Sequence, residues 1–544
     1  MPKDIARSDS PFGIAILVLV IAFGGVQLFF WTDRSIWIDE VSQLLNFPLD
    51  NLAQAFGPLP QAQQAGPPVF NLFLHSISHL SIQTARWIVI LTTLGIITIA
   101  MAFAFDRRPI PIAAGLFVLL SQPSFLINGS MLKFYAFDAA GFAIFAAWIY
   151  CKNRDAPFGL RDMAVLFVGL FLGLSTIVAG CLVVAFFLLK RLKRRQLEWK
   201  EVALAALFCG VAVAYYLQIG YATKIQLTGF PDAYGALGFD ALKRFDEATM
   251  LLLQSRGVFI VLVLLGSSGA ALFICGDTRR SKLVSLLLFI ATIVLTFLVL
   301  AAIGKYPAVS SRHLFWILGV VGVLAGAVAD ALLVPRDDPR RRLALGCLVF
   351  LGIAFAASGL RVAMKWPPQL VEGSSEQVVE TLANLPPSDV LYYFGTFRLI
   401  PLMIERGAPI AQHRYAPSLS TQSGAIDPSY FDSEWNEIDS HLFSEKVENI
   451  LQNDPIGWAK MYILLRRRID FSPLARFVLD SRPSDGRTFY IASIHASWPG
   501  LPGRATAGLR QVLDERSCSY KPVAVFDTLL SPGYVLEVNC PPSD

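Results

Sequence analysis

Long apolar runs recur along the first two thirds of this chain and constrain its fold more than any other feature. They lie near residues 12–31, 87–105, 109–127, 135–151, 201–220, 256–275, 283–303, 313–334 and 344–364, and a longer run at 162–190 has room for two short spans. A helix needs about 20 apolar residues to cross a bilayer. The runs therefore predict an α-helical polytopic membrane protein with about eleven transmembrane helices.

The composition agrees with this prediction. Of the 544 residues, 54% are hydrophobic and 16% are charged, whereas soluble proteins average about 45–50% and about 25%. The net charge of +5 is small, and no segment interleaves basic and aromatic residues as a nucleic-acid-binding surface does. We therefore expect membrane lipids, and no nucleic acid, among the partners.

The distribution of Lys and Arg predicts the orientation in the membrane. With a cytoplasmic N-terminus, alternate loops place 20 of these residues inside and nine outside before residue 360. Cytoplasmic loops are enriched in Lys and Arg. The bias predicts a multi-pass protein of the cell (inner) membrane, with a first outer loop at 32–86. Everything after about residue 366 is then periplasmic or extracellular.

One apolar segment, 66–80, is only about fifteen residues long and does not fit as a span. Counting it as one would move every later basic loop to the outside. We expect instead a helix along the outer interface, begun by Pro67 and Pro68. His75 and His79 lie four residues apart in it, which is metal-ligand spacing. Without a third ligand they are weak metal candidates, and a divalent metal stays possible.

The region after residue 365 has a different pattern. Short strand-like runs occur at 389–395, 460–468, 487–495, 521–529 and 533–539, with helical periodicity at 396–407 and 503–516 and a long irregular loop at 412–440. We expect a membrane domain at 1–365 and a soluble α/β domain at 366–544. Outside the cytoplasm, Cys518 and Cys540 have the redox setting for a disulfide.

Three polar groups fall at the outer membrane surface in this topology. They are Asp39 and Glu40 after the first helix, Lys133, Tyr135 and Asp138 where the third and fourth helices join, and Lys305, Tyr306, Arg312 and His313 before a late helix. A partly desolvated carboxylate is suited to general-base catalysis, and Lys or Arg at this depth is suited to a lipid phosphate. The alternatives are snorkelling for the cations and helix capping for Asp39. Glu40 is as readily a mere neighbour.

The order of short motifs resembles the GT-C glycosyltransferases, specifically the branch of protein O-mannosyltransferases and bacterial aminoarabinose transferases of lipid A. The motifs are WIDE at 37–40, GPPVF at 66–70, ARW at 85–87, DRRP at 106–109 and KFY at 133–135. The resemblance covers roughly residues 12–335 and is clearest in the first 150. It implies a GT-C fold and inverting transfer of a sugar from a polyprenyl-phosphate donor to a hydroxyl acceptor on the non-cytoplasmic side.

The resemblance also implies roles for single residues. Asp39 would deprotonate the acceptor hydroxyl, with Glu40 as its helper. Lys133 stands where many relatives have Arg, and with Tyr135 it would bind the donor phosphate. Arg312, His313 and Lys305 would bind the same phosphate from the late loop. The branch does not generally require a metal, so we expect no required cofactor.

Two other functions fit the same topology. One is a transporter or flippase of a lipid-linked substrate, although inverted repeats, which many transporters carry, are not apparent. The other is a non-catalytic membrane relative whose outer domain binds partners. The acceptor in the enzymatic reading can be a lipid, a polysaccharide or a protein.

Overall fold

The computed structural model describes most of the first 365 residues and parts of the remainder. The described residues are 10–32, 40, 43–44, 46–57, 59, 66–152, 156–229, 238–306, 311–333, 338–365, 381, 384, 390–392, 472–480, 488–494, 501–526 and 533–542. Asp39 lies outside them. So do the strand predicted at 460–468, the helix predicted at 396–407 and the loop predicted at 412–440.

Helices lie at every position where the sequence predicts a span. They are α1 (Ser10–Thr32), α2 (Pro68–Ile77), α3 (Ile82–Ala104), α4 (Pro109–Leu120), α5 (Pro123–Gly129), α6 (Tyr135–Cys151), α7 (Leu160–Leu172), α8 (Thr176–Lys193), α9 (Trp199–Gly229), α10 (Gly238–Ile274), α11 (Asp277–Ala302), α12 (Trp316–Leu332) and α13 (Arg341–Lys365). Of these, α2 is the predicted interfacial helix. The others account for the predicted spans.

The helical part has the surface of a membrane protein. Within the described residues, four helices (α1, α3, the first part of α9, and α11) are long and apolar enough to cross a bilayer. The bent pair α4 and α5 makes a fifth if it is counted as one span. Large apolar side chains such as Leu19, Leu217 and Phe273 are 69%, 69% and 75% exposed. Lipid tails can cover such side chains, whereas a soluble protein rarely exposes them in large contiguous patches.

Two of the predicted spans have a different form from the expected one. The span predicted at 109–127 is two helices, bent by 79° where α4 ends and α5 begins. Pro123 has no backbone N–H and holds the preceding Gln122 in an extended conformation, which ends the helix there. The span predicted at 256–275 begins earlier, because α10 starts at Gly238. The run at 162–190 forms two short helices, α7 and α8, as predicted.

Helix α2 begins at Pro68, with Pro67 as its N-cap, as the sequence predicts. The segment before it forms a 3-10 turn over Leu52–Phe56. Asn71 fixes this turn to the helix, because its amide donates to the carbonyl oxygens of Ala55 at 2.9 Å and Gly66 at 3.1 Å. The long first loop therefore carries a packed helix and a packed turn.

The central helix of the bundle is α6, in which every residue from Tyr135 to Tyr150 is buried. Helices α3, α11 and α12 pack around it. At Gly319 the backbones of α12 and α6 come so close that a Cβ atom on Gly319 would overlap the carbonyl oxygen of Ala139 in α6. Small residues permit such close approach between membrane helices. The start of α6, next to Lys133, therefore belongs to a buried helix that packs closely against α12.

The described C-terminal elements form a small α/β unit. A four-stranded sheet has the order β1-β2-β4-β3, with β1 (Val390–Tyr392), β2 (Phe489–Ile494), β3 (Ser519–Phe526) and β4 (Gly533–Asn539). Strands β1 and β2 are parallel, and the other two pairings are antiparallel. Helices α14 (Ser472–Asp480) and α15 (Leu501–Glu515) accompany the sheet. These elements match four of the predicted strands and one of the predicted helices.

A disulfide joins Cys518 and Cys540, which flank β3 and β4. Both cysteines belong to the hydrophobic cluster formed by α14, α15 and the sheet. The other five cysteines are free. The structure therefore contains the disulfide that the sequence left open.

We expect Gly319→Ala to destabilise the bundle, because the new methyl group meets a backbone carbonyl that cannot move alone. Overpacking of this kind typically costs about 1–3 kcal/mol. The measurement is the thermal unfolding midpoint in detergent, followed by tryptophan fluorescence. Gly346→Ala and Gly352→Ala on α13 are matched controls, since a Cβ at either position meets nothing within 4 Å. Equal midpoints for Gly319→Ala and both controls would contradict the close contact.

Candidate active site

Glu40 is buried, and its carboxylate accepts hydrogen bonds from Arg86 and from the backbone of Leu132. Its side chain is 0% exposed and that of Arg86 is 3% exposed. The guanidinium donates from Nη2 to Oε2 at 2.8 Å and from Nε to Oε1 at 3.1 Å. The backbone N–H of Leu132 donates to Oε1 at 3.0 Å. Two parallel bonds from Arg to a carboxylate form a strong and geometrically specific contact.

The same arginine also holds the end of α1. Arg86 Nη1 donates to the carbonyl oxygen of Thr32, the last residue of that helix, at 3.3 Å. The Thr32 hydroxyl donates to the Leu28 carbonyl oxygen at 2.7 Å. Arg86 lies in the second turn of α3. One ion pair thus joins α1, the residue after Asp39, α3 and the loop before α6.

Lys133 is 4% exposed and lies directly after the amide that binds Glu40. Its Nζ donates to Gln43 Oε1 at 3.5 Å. An ammonium group has donors only, so Gln43 must present its oxygen to it. The Gln43 Nε2 atom then points elsewhere and has no hydrogen-bond partner in the part of the chain that the structure describes. Buried unsatisfied polar groups are rare and tend to mark functional sites.

A second set of hydrogen bonds lies in the late loop, beside the first turns of α6 and α8. The Tyr306 hydroxyl donates to the His313 carbonyl oxygen, and Trp316 Nε1 donates to the Tyr306 oxygen at 3.1 Å. The Ser175 side chain lies near the Tyr306 hydroxyl. The Ser175 backbone N–H donates to Asp138 Oδ1 at 3.2 Å. Burial raises the pKa of Tyr306 and the Asp138 carboxylate raises it further, so the hydroxyl keeps the proton it donates.

Aromatic contacts bring the loops to the same end of the bundle. Phe315, which follows the 3-10 turn Ser311–Leu314, stacks on Phe125 of α5 with ring centroids 5.7 Å apart. Phe70 of α2 meets Phe137 of α6 edge to face at 5.2 Å. The loop before α6 therefore has α2 on one side, and the late turn packs against α5 just before it.

The predicted site residues fall into three groups. Glu40, Lys133 and Tyr135 are buried together at the start of α6. His313 is half-buried and belongs to the Tyr306 network, while Lys305 is exposed at the end of α11, where its backbone N–H bonds to the Leu300 carbonyl oxygen. Arg312 lies on the 3-10 turn, and its side chain, like Asp39 as a whole, is outside the described part.

His75 has a packing role. Its Nδ1 accepts the backbone N–H of Leu49 at 3.0 Å. Acceptance at Nδ1 places the ring proton on Nε2, and the bond ties the first outer loop to α2. Among the described residues, no group of three or more His, Cys, Asp or Glu side chains is placed to hold a metal ion.

Arg86, Gln43 and Ser175 were not singled out from the sequence, and Tyr306 was named there without a role. Arg86 had a usable signal, because an arginine in the first turns of an apolar helix is costly unless it has a partner or a function. Tyr306 lay in a loop already considered for its cations. Gln43 and Ser175 have no distinguishing sequence pattern, since their importance comes from contacts with residues far along the chain.

Comparison with known proteins gives a likeness in fold to two crystal structures of ArnT from Cupriavidus metallidurans. The structure bound to undecaprenyl phosphate has a TM-score of 0.45 and 13% sequence identity, and the match covers 97% of this chain and 98% of that chain. The apo structure has a TM-score of 0.44 and 13% identity, with 95% and 97% covered. No protein-family model and no curated protein matches the sequence. Similarity at this level carries no conclusion about activity.

We expect removal of either partner of the Glu40–Arg86 pair to destabilise the protein strongly. Glu40→Gln or Arg86→Leu leaves one charge buried without compensation, which typically costs about 3–5 kcal/mol. The readout is the unfolding midpoint in detergent. The double variant should lose less than the sum of the single variants, because it leaves no uncompensated charge.

Lys243→Ala is the matched control for this prediction. Lys243 and Glu247 form an ion pair at 3.9 Å whose side chains are 68% and 58% exposed. Exposed pairs of this kind contribute little to stability. If Arg86→Leu and Lys243→Ala shift the midpoint equally, the buried pair does not have the importance assigned to it.

Proposed function

We propose that this chain is an inverting glycosyltransferase of the GT-C type that moves a sugar from a polyprenyl-phosphate donor to a hydroxyl acceptor. The observation that carries the proposal is the position of Lys133. Lys133 has a buried side chain and is the next residue after Leu132, whose backbone N–H binds Glu40. Glu40 is in turn the next residue after Asp39. Glu40 of the WIDE motif therefore contacts Leu132, which lies 92 residues later and directly precedes the KFY motif.

Asp39 is the general base in this proposal. Its carboxylate takes the proton of the acceptor hydroxyl as the hydroxyl oxygen attacks the anomeric carbon of the donor. The bond from that carbon to the phosphate oxygen breaks, and polyprenyl phosphate leaves with the electron pair. One displacement from the opposite face inverts the configuration. The proton ends on Asp39, and the negative charge ends on the phosphate.

Glu40 is a positioning residue in this scheme. Its two oxygens already accept three N–H bonds, from Arg86 and from Leu132. A carboxylate held in this way is a poor proton acceptor, because hydrogen bonds to the charged form stabilise that form. Its contribution is to fix the backbone next to Asp39. Preorganised groups of this kind account for much of enzymatic catalysis.

Lys133 and Arg312 receive the charge that develops on the leaving phosphate. Lys133 supplies a compact positive charge and donors in a buried setting, where a charge interaction is stronger than in water. Tyr135, His313 and Lys305 come from the same two loops and complete the proposed phosphate-binding set. No cofactor is required in this scheme, and a divalent metal is not assigned a step.

The proposed topology follows from the basic loops. Residues 1–365 form the membrane domain, with a cytoplasmic N-terminus in the inner membrane, and residues 366–544 form a periplasmic or extracellular domain. Support for the latter placement comes from the disulfide between Cys518 and Cys540, which suits an oxidising compartment. The acceptor is a lipid, polysaccharide or protein on the same side.

We expect Asp39→Asn to abolish sugar transfer while leaving expression, membrane insertion and the unfolding midpoint unchanged. The amide keeps the shape of the carboxylate but cannot take the acceptor proton. Purified protein with a radiolabelled polyprenyl-phosphate sugar provides the assay, with slow donor hydrolysis as a second readout. Turnover close to wild type would remove Asp39 from the role of base. Relocation of the donor without bond cleavage would favour a transporter instead.

Lys133→Met should weaken binding of the donor phosphate, whereas Lys133→Arg should retain part of it. Methionine keeps the apolar stem and removes the charge. Loss of a charged hydrogen bond costs about 1.5–3 kcal/mol, which is roughly a ten- to hundredfold change in affinity. Titration with undecaprenyl phosphate measures the change. Lys243→Met, at a position whose side chain is 68% exposed and which is outside the proposed phosphate-binding set, is the control for charge alone. Equal losses in both variants would contradict a specific role for Lys133.

A further inference from the structure

Tyr306 occupies the centre of a network that the proposed chemistry does not use. It lies four residues after α11, and its hydroxyl reaches forward to the His313 carbonyl oxygen and to Trp316 Nε1. Both partners lie at the far end of the late loop, in and just after the 3-10 turn that carries Arg312. The Tyr306 hydroxyl therefore joins the two ends of the late loop, which carries the proposed phosphate ligand Arg312.

The ring of Tyr306 is itself held rigidly. It meets Phe297 edge to face, with centroids 4.5 Å apart. Phe297 stacks on Trp316 at 4.8 Å, and Trp316 stacks on Phe142 of α6 at 4.7 Å. Aromatic pairs at these separations are mutually stabilising. The hydroxyl is thus fixed relative to α6, α11 and α12 together.

The break between α7 and α8 lies beside this network. The Ser175 side chain is near the Tyr306 hydroxyl, and the Ser175 backbone N–H donates to Asp138 of α6. At Gly173 a Cβ atom would overlap the Asp138 carboxylate, so only glycine permits this approach. The Asp138 carboxylate lies at the N-terminus of α8, where a negative charge is favourable.

We propose that Tyr306 is a positioning residue for the donor phosphate, acting through the 3-10 turn at 311–314 that carries Arg312. This inference rests on the proposed function. The hydroxyl fixes the turn to the aromatic cluster, which reaches α6 through the stacking of Trp316 on Phe142. Lys133 lies just before α6. The two proposed phosphate cations, which are 179 residues apart in the chain, are set relative to each other by this network.

The test compares wild type with Tyr306→Phe by titration with undecaprenyl phosphate and by steady-state transfer kinetics. Phenylalanine retains the ring contact with Phe297 and removes only the hydroxyl. We expect the Kd for undecaprenyl phosphate and the KM for the donor to rise roughly tenfold, with kcat changing less than about twofold. Tyr150→Phe is the matched control, because its hydroxyl bonds Asp330 near the other end of α6, at 2.7 Å.

A double-variant cycle separates positioning from general loosening of the fold. If Tyr306 acts through Arg312, then Tyr306→Phe should weaken binding little further in an Arg312→Gln background. Should Tyr306→Phe fail to fold, Trp316→Phe tests the same link, because it removes the Nε1–H that donates to the Tyr306 oxygen. A smaller rise in Kd is expected.

Three results would overturn the inference. They are an unchanged Kd in folded Tyr306→Phe or Trp316→Phe, an equal loss in Tyr150→Phe, and full additivity with Arg312→Gln. The failure of the proposed function has a different signature, since wild type itself would then neither bind undecaprenyl phosphate nor transfer sugar.

Discussion

The buried ion pair between Glu40 and Arg86 is the interaction on which the rest of this end of the molecule depends. Transferring two charges into the interior is expensive, and the cost is offset only by good geometry and saturated hydrogen bonding. Both conditions hold, because Arg86 also binds the end of α1 and the Leu132 amide completes the Glu40 partners. The end of α1, the start of α3 and the loop before α6 are therefore held together by these two side chains.

The spans could be predicted from sequence because the bilayer imposes a length and a polarity that single residues must obey. The short helix that begins at Pro68 was predicted by the same reasoning together with the charge bias. The bend after Leu120 was missed, because the sequence pattern around a single proline in an apolar run is the same whether the proline kinks one helix or separates two. The early start of α10 was missed because its first turns are amphipathic rather than apolar.

The candidate site was predictable in its position and much less so in its contacts. Topology alone brought Glu40 and Lys133 to one side of the membrane. It could not supply Arg86 as the partner of Glu40, because 46 residues separate them and the pairing arises only from helix packing. For the same reason the importance of Ser175 and Tyr306 was hidden, as neither residue is unusual until α6, α8 and the late loop are in contact.

The Glu40–Arg86 pair and the Lys133–Gln43 pair differ in how completely their polar groups are hydrogen-bonded. The charges of Glu40 and Arg86 are already paired with each other. If a substrate group took the place of either partner, the other charge would be left buried and unpaired, at a large cost in free energy. Gln43 is different, since its oxygen is oriented by Lys133 while its Nε2 has no partner among the described residues. An amide left in that state costs about 1–3 kcal/mol. In the proposed function, a phosphate or sugar oxygen of the donor held beside Lys133 would be a suitable acceptor for this amide.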